Sequence, residues 1–273
     1  MTEQAERYDR IADGYARWWG PIIAPAALTV LDEVAPEVAA GATRLLDVGT
    51  GTGTLAIAAI RRWPDVQVTA IDASSGMIAK AAADAEERLT AAERRRLTFR
   101  VAFADDVGLA DGSVDIAISS FVLQLVPNRF RALREVHRVL RRGGGFTWIS
   151  WLAGSSGWRP DDDFDDALEE VDEEARDWGD GDHDDLRDER SAIAQMRRAG
   201  FADATARAAD LVHAFDVDGA TGFLTEFDEE DLVANLGDRR APFEAALRRR
   251  LAARPAAELA LHNRTILVRG TRR

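Results

Sequence analysis

Hydrophobic and polar residues alternate along this chain with two different periods. "RLLDVG" is a short uninterrupted apolar run that ends at Gly49 and is typical of a strand buried on both faces, whereas "LAIAAIRRW" has helical spacing. Further strands are predicted at "VQVTAID", "RLTFRVAFA", "VDIAISSF" and "GFTWISWLA", and helices at "SSGMIAKAAADAEERL" and at "RFRALREVHRVLR", which is expected to end at Gly143 to Gly145. This alternation predicts an α/β fold with a doubly wound, mostly parallel sheet.

The remaining segments add helices before this alternation and strands after it. Apolar residues such as Tyr8 and Tyr15 recur at helical spacing within the first forty residues. Near the C-terminus, "ATARAADLVHAFDV" and "HNRTILVRGTR" are predicted strands, which brings the sheet to seven. The predicted division is an N-terminal helical cap over residues 1–40, a sheet domain over residues 41–154 and 191–273, and an acidic helical insertion over residues 155–190.

The negative charge of the chain is concentrated in that insertion. The chain has a net charge of −13, and residues 161–190 hold 17 carboxylates and 3 arginines, so the rest is close to neutral. Apolar residues recur at intervals of 4, 3, 4 and 3 from Phe164 to Trp178, which predicts one apolar stripe on an acidic helix. Such a helix is expected either to close over a substrate as a lid or to pack as a structural insertion or dimer contact.

The composition excludes several kinds of site and partner. There is no cysteine, which rules out disulfides, thiolate metal sites and a cysteine nucleophile. All basic residues except Lys80 are scattered arginines, a pattern that does not favour nucleic acid. "DGDHDDLRDE" lacks the glycine and glutamate of a calcium loop, so no metal is predicted. No apolar run approaches the roughly 20 residues of a membrane span and no signal peptide is visible, so we expect a cytoplasmic monomer or homodimer without a membrane partner.

Three glycines at alternate positions follow the first predicted strand. Glycine at a strand-to-helix turn allows a ligand to approach the main chain closely, and the third glycine stands at Gly53 rather than at Thr54, where a dinucleotide-binding turn requires it. Asp72 ends the second strand, where a carboxylate can accept hydrogen bonds from ribose hydroxyls. The two features together indicate a nucleoside ligand. The alternative role for Asp72 is to cap the next helix.

Four stretches in the same order resemble successive motifs of the class I S-adenosylmethionine-dependent methyltransferases. They are "LLDVGTGTGTLAIAAI", "VTAIDASSGMI", "LADGSVDIAISSFVLQLV" and "ALREVHRVLRRGGGF", which lie within residues 42–152. The resemblance implies a Rossmann-like sheet, S-adenosyl-L-methionine as cofactor, and transfer of a methyl group to a small molecule by in-line displacement in a dry cleft. An oxidoreductase that binds NAD(P) and a non-catalytic regulator that binds S-adenosylmethionine remain the alternatives.

The resemblance also implies which residues hold the cofactor. Asp47 would anchor the loop near the methionine amino group, and Asp72 would hold the ribose. Phe103 stands where the family usually has an aspartate beside the adenine, so Asp105 or Asp106 is expected to supply the missing acceptor. The predicted cofactor residues are Tyr15, Asp47, Gly49, Thr50, Gly51, Asp72, Ala73, Met77, Phe103, Ala104, Asp105, Ser119 and Ser120.

Aromatic residues near the carboxyl ends of the strands suggest how the acceptor is bound. Their number suits a hydrophobic or aromatic acceptor, although each ring could equally fill the core. The predicted acceptor residues are Trp18, Trp19, Phe121, Gln124, Trp151 and Trp158. No general base can be assigned from the sequence, and His213 on a late strand is the candidate.

Overall fold

One sheet of seven strands runs through the part of the chain that the structure describes. In the computed structural model these are residues 3–154, 160–171 and 185–273. The strands are β1 (Arg44–Val48), β2 (Gln67–Asp72), β3 (Leu97–Val101), β4 (Val114–Ser120), β5 (Leu140–Trp151), β6 (Phe201–Ala214) and β7 (Ala260–Arg272). Their order is β3-β2-β1-β4-β5-β7-β6, and only β7 pairs antiparallel with its neighbours. The predicted α/β fold with a mostly parallel seven-stranded sheet is therefore confirmed.

Helices precede the sheet and connect its strands. The helices before and within the first half of the sheet are α1 (Glu3–Arg10), α2 (Ala12–Gly14), α3 (Gly20–Ala39), α4 (Thr54–Arg62), α5 (Ser75–Arg88), α6 (Ala91–Arg94) and α7 (Arg129–Val139). Those of the second half are α8 (Pro160–Glu169), α9 (Glu189–Ala199), α10 (Val217–Phe223), α11 (Glu230–Ala234) and α12 (Arg240–Ala253). Short π-helical or 3-10 turns lie at Tyr15–Trp19, Leu224–Asp228, Gly237–Arg239 and Ala256–Glu258. No helix among the described residues is both long and apolar enough to cross a bilayer.

Both faces of the sheet are covered, because side chains alternate along each strand. Leu45 of β1 and Ile116 of β4 belong to the apolar cluster that α3, α4 and the late helices complete. Leu46 of β1 and Ala117 of β4 belong to the opposite cluster, which α7 and α9 complete. This double burial explains why β1 and β4 are uninterrupted apolar runs in the sequence.

The boundary between α7 and β5 differs from the predicted one. The helix ends at Val139 and the strand begins at Leu140, so the three glycines lie inside the strand and do not end the helix. The pairing of β5 with β4 shifts between Val114 and Ile116, and Gly143 has a φ of +77° on the opposite side of this irregularity. Glycine is needed here because the bulged backbone enters the left-handed region.

The described part of the acidic insertion is docked on a helix that the sequence analysis did not predict. Phe164 of α8 packs edge-on against Phe243 of α12, with ring centroids 5.0 Å apart. Asp163 of α8, which is buried, forms an ion pair with Arg254 just after α12. Other carboxylates of α8 and the following turn pair with Arg250. Of the predicted apolar stripe, Ala175 and Trp178 lie outside the described residues.

Candidate cofactor and acceptor site

The turn after β1 has a backbone that only glycine tolerates. Gly49, Gly51 and Gly53 have φ values of +69°, +54° and +85°. A Cβ atom on Gly49 would lie 2.2 Å from a methyl group of Val122, and one on Gly53 would lie 3.2 Å from Ala81. The main chain of the turn is therefore pressed against the loop after β4 and against α5, which leaves its upper side open to a ligand.

Asp47 stabilises this turn through a hydrogen bond with Thr50. Its side chain is buried, and its Oδ2 accepts a hydrogen bond from Thr50 Oγ1 at 2.7 Å. Burial raises the pKa of Asp47 to about 7, against the opposing effect of the Thr50 hydrogen bond. Asp47 does not line the cavity described below, so its contact with the turn is structural in this geometry.

Asp72 joins the turn to the end of β2. Its Oδ2 accepts from the Gly51 backbone N–H at 2.8 Å, and its Oδ1 accepts from the Ser74 backbone N–H at 2.9 Å. Burial raises the pKa of Asp72, while these backbone donors act in the opposite direction. The helix cap of α5 is Ser74, whose Oγ accepts from the Met77 N–H at 3.0 Å. Asp72 is therefore not the capping residue, and its carboxylate keeps acceptor capacity for a ligand.

A cavity of about 350 Å³ opens at the carboxyl ends of the strands. Most of the residues predicted for the cofactor line it: Tyr15, Gly49, Thr50, Gly51, Asp72, Ala73, Met77, Phe103, Ala104, Asp105 and Ser120. Of the predicted acceptor residues, Trp19, Phe121, Gln124 and Trp151 also line it. One cavity thus joins the glycine turn, the end of β2 and an aromatic wall.

Several predicted residues lie away from this cavity. Ser119 is buried and donates to the Val48 carbonyl at 2.7 Å. Trp18 donates from Nε1 to Glu226 at 2.6 Å, and a Cβ atom on Gly222 would lie 2.1 Å from its ring, so this side chain holds the N-terminal helices against the late helices. His213 lies on the edge strand β6, where it pairs with Leu261 of β7, and it is not among the lining residues. Trp158 lies outside the described residues.

The comparisons with known proteins concern the same part of the chain. Residues 45–144 match the family model for a methyltransferase domain. The ubiquinone/menaquinone biosynthesis C-methyltransferase UbiE of Geobacter sp. (strain M21) is 36% identical over 105 residues, which make up 38% of this chain and 43% of that protein. The malonyl-[acyl-carrier protein] O-methyltransferase of Geobacter sulfurreducens is 35% identical over 112 residues, 41% of this chain and 40% of that protein. The matched region spans less than half the length of either relative.

A solved structure extends the likeness in fold. The YcgJ protein of Bacillus subtilis superposes with a TM-score of 0.55 at 21% identity, over 85% of this chain and 92% of that chain. Residues 45–144 are thus similar to a methyltransferase domain, and the likeness in fold extends over most of the chain.

An N-terminal segment of the chain closes one side of the cavity. Asp9 Oδ1 accepts from Ser74 Oγ at 2.6 Å and from the Gly76 N–H at 2.7 Å, and these hydrogen bonds lower the pKa of Asp9. On the other side, Arg10 pairs with Asp231 of α11 at 2.8 Å. The segment that carries Tyr8 and Tyr15 is therefore fastened at both sides of the cavity mouth.

Five rings form one wall of the cavity, and we call them the ring cluster. Trp19 lies 5.8 Å from Trp151, 5.5 Å from Phe223 and 5.6 Å from Phe227, measured between ring centroids. Phe121 and Trp151 are 4.3 Å apart. Sequence reasoning missed Phe223 and Phe227, although their spacing of four residues in "FLTEF" is helical and would have indicated a shared face.

No histidine is among the described residues that line the cavity, although six ionisable side chains are. Those that line it are Arg7, Tyr8, Tyr15, Asp72, Asp105 and Asp228. Burial raises the pKa of Tyr8 to about 12 and raises that of Tyr15 as well, so both phenols are protonated at neutral pH. Asp105 pairs with Arg131 at 3.4 Å. The described lining residues therefore offer carboxylates and phenols, but no imidazole, as groups that could transfer a proton.

Proposed function

We propose that this protein transfers a methyl group from S-adenosyl-L-methionine to a small-molecule acceptor held against the ring cluster. The observation that carries the proposal is that Asp72, the glycine turn and the ring cluster all line one cavity of about 350 Å³. The match of residues 45–144 to a methyltransferase domain supports the cofactor, and the names of the two relatives, a C-methyltransferase and an O-methyltransferase, support transfer to carbon or oxygen.

The residues of the cavity fit the cofactor in the following way. The turn from Gly49 to Gly51 offers main chain without side-chain bulk to the methionine portion, and its underside is held by Asp47. Asp72 has acceptor capacity for the ribose hydroxyls beyond its two backbone donors. Phe103, which is 38% exposed, and Ala104 offer a flat apolar surface for the adenine where the family usually has an aspartate.

Held by the glycine turn and Asp72, the cofactor would supply an electrophilic methyl group, with its sulfur as the leaving group that keeps the bonding pair. The chain itself has two tasks. The ring cluster excludes water from the region where positive charge disappears. The rigid wall aligns the two reactants, and alignment alone supplies up to about 7 to 11 kcal/mol of the barrier reduction in favourable cases. A proton released by the acceptor passes to solvent.

Two alternative functions make different predictions. An NAD(P)-dependent oxidoreductase would use the same turn. The third glycine, Gly53, packs against Ala81 and Ile57, and it stands one position earlier in the sequence than the dinucleotide-binding pattern requires. A regulator that binds the cofactor without chemistry would keep the turn and Asp72 and show no methyl transfer. Binding of S-adenosylmethionine and turnover of labelled methyl groups therefore separate all three.

Calorimetry on Asp72→Ala tests the proposal. The variant is expected to lose about 1–3 kcal/mol of binding to S-adenosylmethionine and S-adenosylhomocysteine, because a buried donor–acceptor pair is removed. Asp65→Ala is the control, since Asp65 is exposed at the opposite end of β2. Thermal melting establishes that both variants are folded. Unchanged affinity of Asp72→Ala, or tighter binding of NAD than of S-adenosylmethionine by the unaltered protein, would contradict the proposal.

A further inference from the structure

We infer that the methyl acceptor is an uncharged, flat ring compound whose carbonyl or hydroxyl oxygen accepts a hydrogen bond from the side-chain amide of Gln124. This inference rests on the proposed function and narrows its acceptor. It follows from three properties of the described residues around the ring cluster: their shape, their lack of charge and the oriented polar group of Gln124.

The shape of the wall favours flat molecules. Five aromatic rings surround this part of the cavity with neighbouring centroids 4.3 to 5.8 Å apart. Aromatic faces bind other flat apolar groups by stacking and edge contacts in this distance range. Phe121 has a φ of +55°, which is a strained conformation for a bulky residue. Its backbone N–H nevertheless donates to the Ile149 carbonyl at 2.8 Å, so the fold holds the ring in the wall at an energetic cost.

The described residues around the ring cluster carry no charged side chain. They are Trp19, Ile23, Phe121, Gln124, Trp151, Phe223 and Phe227. An ionised group that leaves water for such surroundings without a partner pays a large desolvation penalty. A carboxylate acceptor is therefore disfavoured. Asp228 follows Phe227 and lines the same cavity, so a cationic acceptor is the competing possibility that an experiment must separate.

Gln124 is the oriented polar group of the wall. It is 6% exposed, and its Oε1 accepts a hydrogen bond from Ser150 Oγ of β5 at 2.8 Å. Ser150 is fully buried, and the carboxamide oxygen is the end of Gln124 that faces β5 in this geometry. The Nε2 amide then remains as a donor on a residue that lines the cavity. An amide donor selects an oxygen acceptor and stabilises negative charge that develops on it.

This arrangement also accounts for the absence of histidine from the described lining residues. Negative charge that develops on a phenol or enol oxygen during transfer is stabilised by the hydrogen bond from Gln124, because hydrogen bonding to the charged form favours that form. The proton of the acceptor passes to solvent with the methylated product, and a dedicated base is not required. Ser150 is a positioning residue in this account, since it acts through the carboxamide.

Binding of naphthalene derivatives to the protein saturated with S-adenosylhomocysteine tests the inference. The probes are 2-naphthol, 2-acetylnaphthalene, 2-ethylnaphthalene, 2-naphthoate and 2-naphthylmethylamine, and the readout is calorimetry. The two neutral oxygen compounds are expected to bind about 3- to 10-fold more tightly than 2-ethylnaphthalene, as one added hydrogen bond provides. The two charged compounds are expected to bind more weakly than both.

Two variants identify the residue responsible. Gln124→Met is expected to abolish the preference for oxygen while leaving the affinities for 2-ethylnaphthalene and S-adenosylhomocysteine within about twofold, since it removes only the polar group. Ser150→Ala is expected to reduce the preference partly and serves if Gln124→Met does not fold. The matched control is Gln67→Met, at the exposed start of β2.

The contrary results are distinct from failure of the proposed function. Tightest binding of 2-naphthoate or 2-naphthylmethylamine, no binding of any probe, or an oxygen preference that survives Gln124→Met would each overturn the inference. If the unaltered protein fails to bind S-adenosylmethionine and S-adenosylhomocysteine, the proposed function falls, whatever the naphthalenes show.

Discussion

Substitution of Gly49 by alanine should destabilise the fold through two separable effects. The first is the backbone, because a φ of +69° is left-handed and costs an L-residue roughly 1–2 kcal/mol. The second is overlap, because the new Cβ atom would lie 2.2, 2.5 and 2.8 Å from the side-chain carbons of Val122. Overpacking of this kind costs about 1–3 kcal/mol. Gly49→Ala is therefore expected to lower the free energy of unfolding by about 2–5 kcal/mol in total.

The two effects can be measured separately by urea denaturation of the unaltered protein and four variants. The variants are Gly49→Ala, Val122→Ala, the double variant of these two, and Gly237→Ala. Gly237→Ala is the backbone control, because Gly237 has a φ of +55° and no atom within 4 Å of its Cβ position. It should lose only about 1–2 kcal/mol. In the double variant with Val122→Ala, most of the overlap disappears, so the combined loss should be smaller than the sum of the single losses by about 1–3 kcal/mol. Additive losses would show that Val122 does not press on the turn and would refute the reasoning.

Two further predictions concern buried charge. The raised pKa of Asp47, about 7 against 3.8, means that the fold prefers the protonated acid; this contribution to stability is complete below about pH 4 and is lost as the pH rises through 7. Asp47→Asn should therefore cost less stability at pH 8 than at pH 5 in urea denaturation, and an equal cost at both would contradict the assignment. Arg254→Met leaves Asp163, whose side chain is 8% exposed, without its ion-pair partner, and should cost about 3–5 kcal/mol. The control Arg249→Met, in an exposed pair, should change the melting temperature little, and equal losses would argue against a buried pair.

The cofactor half of the site was predictable because its determinants are local. The glycines follow β1 and Asp72 ends β2, and the apolar runs of both strands are visible in the sequence. Adjacent parallel strands bring their carboxyl ends to one edge of the sheet. β1 and β2 pair with Val48 opposite Ile71, so Gly49, which follows β1, lies beside Asp72, which ends β2. Asp72 reaches the Gly51 N–H for this reason.

The acceptor half was predicted only in part because it is assembled from distant segments. Phe223 and Phe227 reach the cavity through the helices between β6 and β7, about 200 residues after Trp19. Trp18 and Trp19 are indistinguishable by composition, yet Trp18 packs on Gly222 while Trp19 faces the cavity. His213 lies on β6, the edge strand, and is not among the residues that line the cavity.

The sequence by itself determined the sheet, the turn after β1 and the carboxylate at the end of β2, because hydrophobic period and glycine placement act over a few residues. Only the tertiary structure decided which rings meet, which amide end of Gln124 faces β5, and which arginine covers Asp163. Those contacts join residues 26 to 208 positions apart along the chain, and close packing of such segments depends on the whole fold.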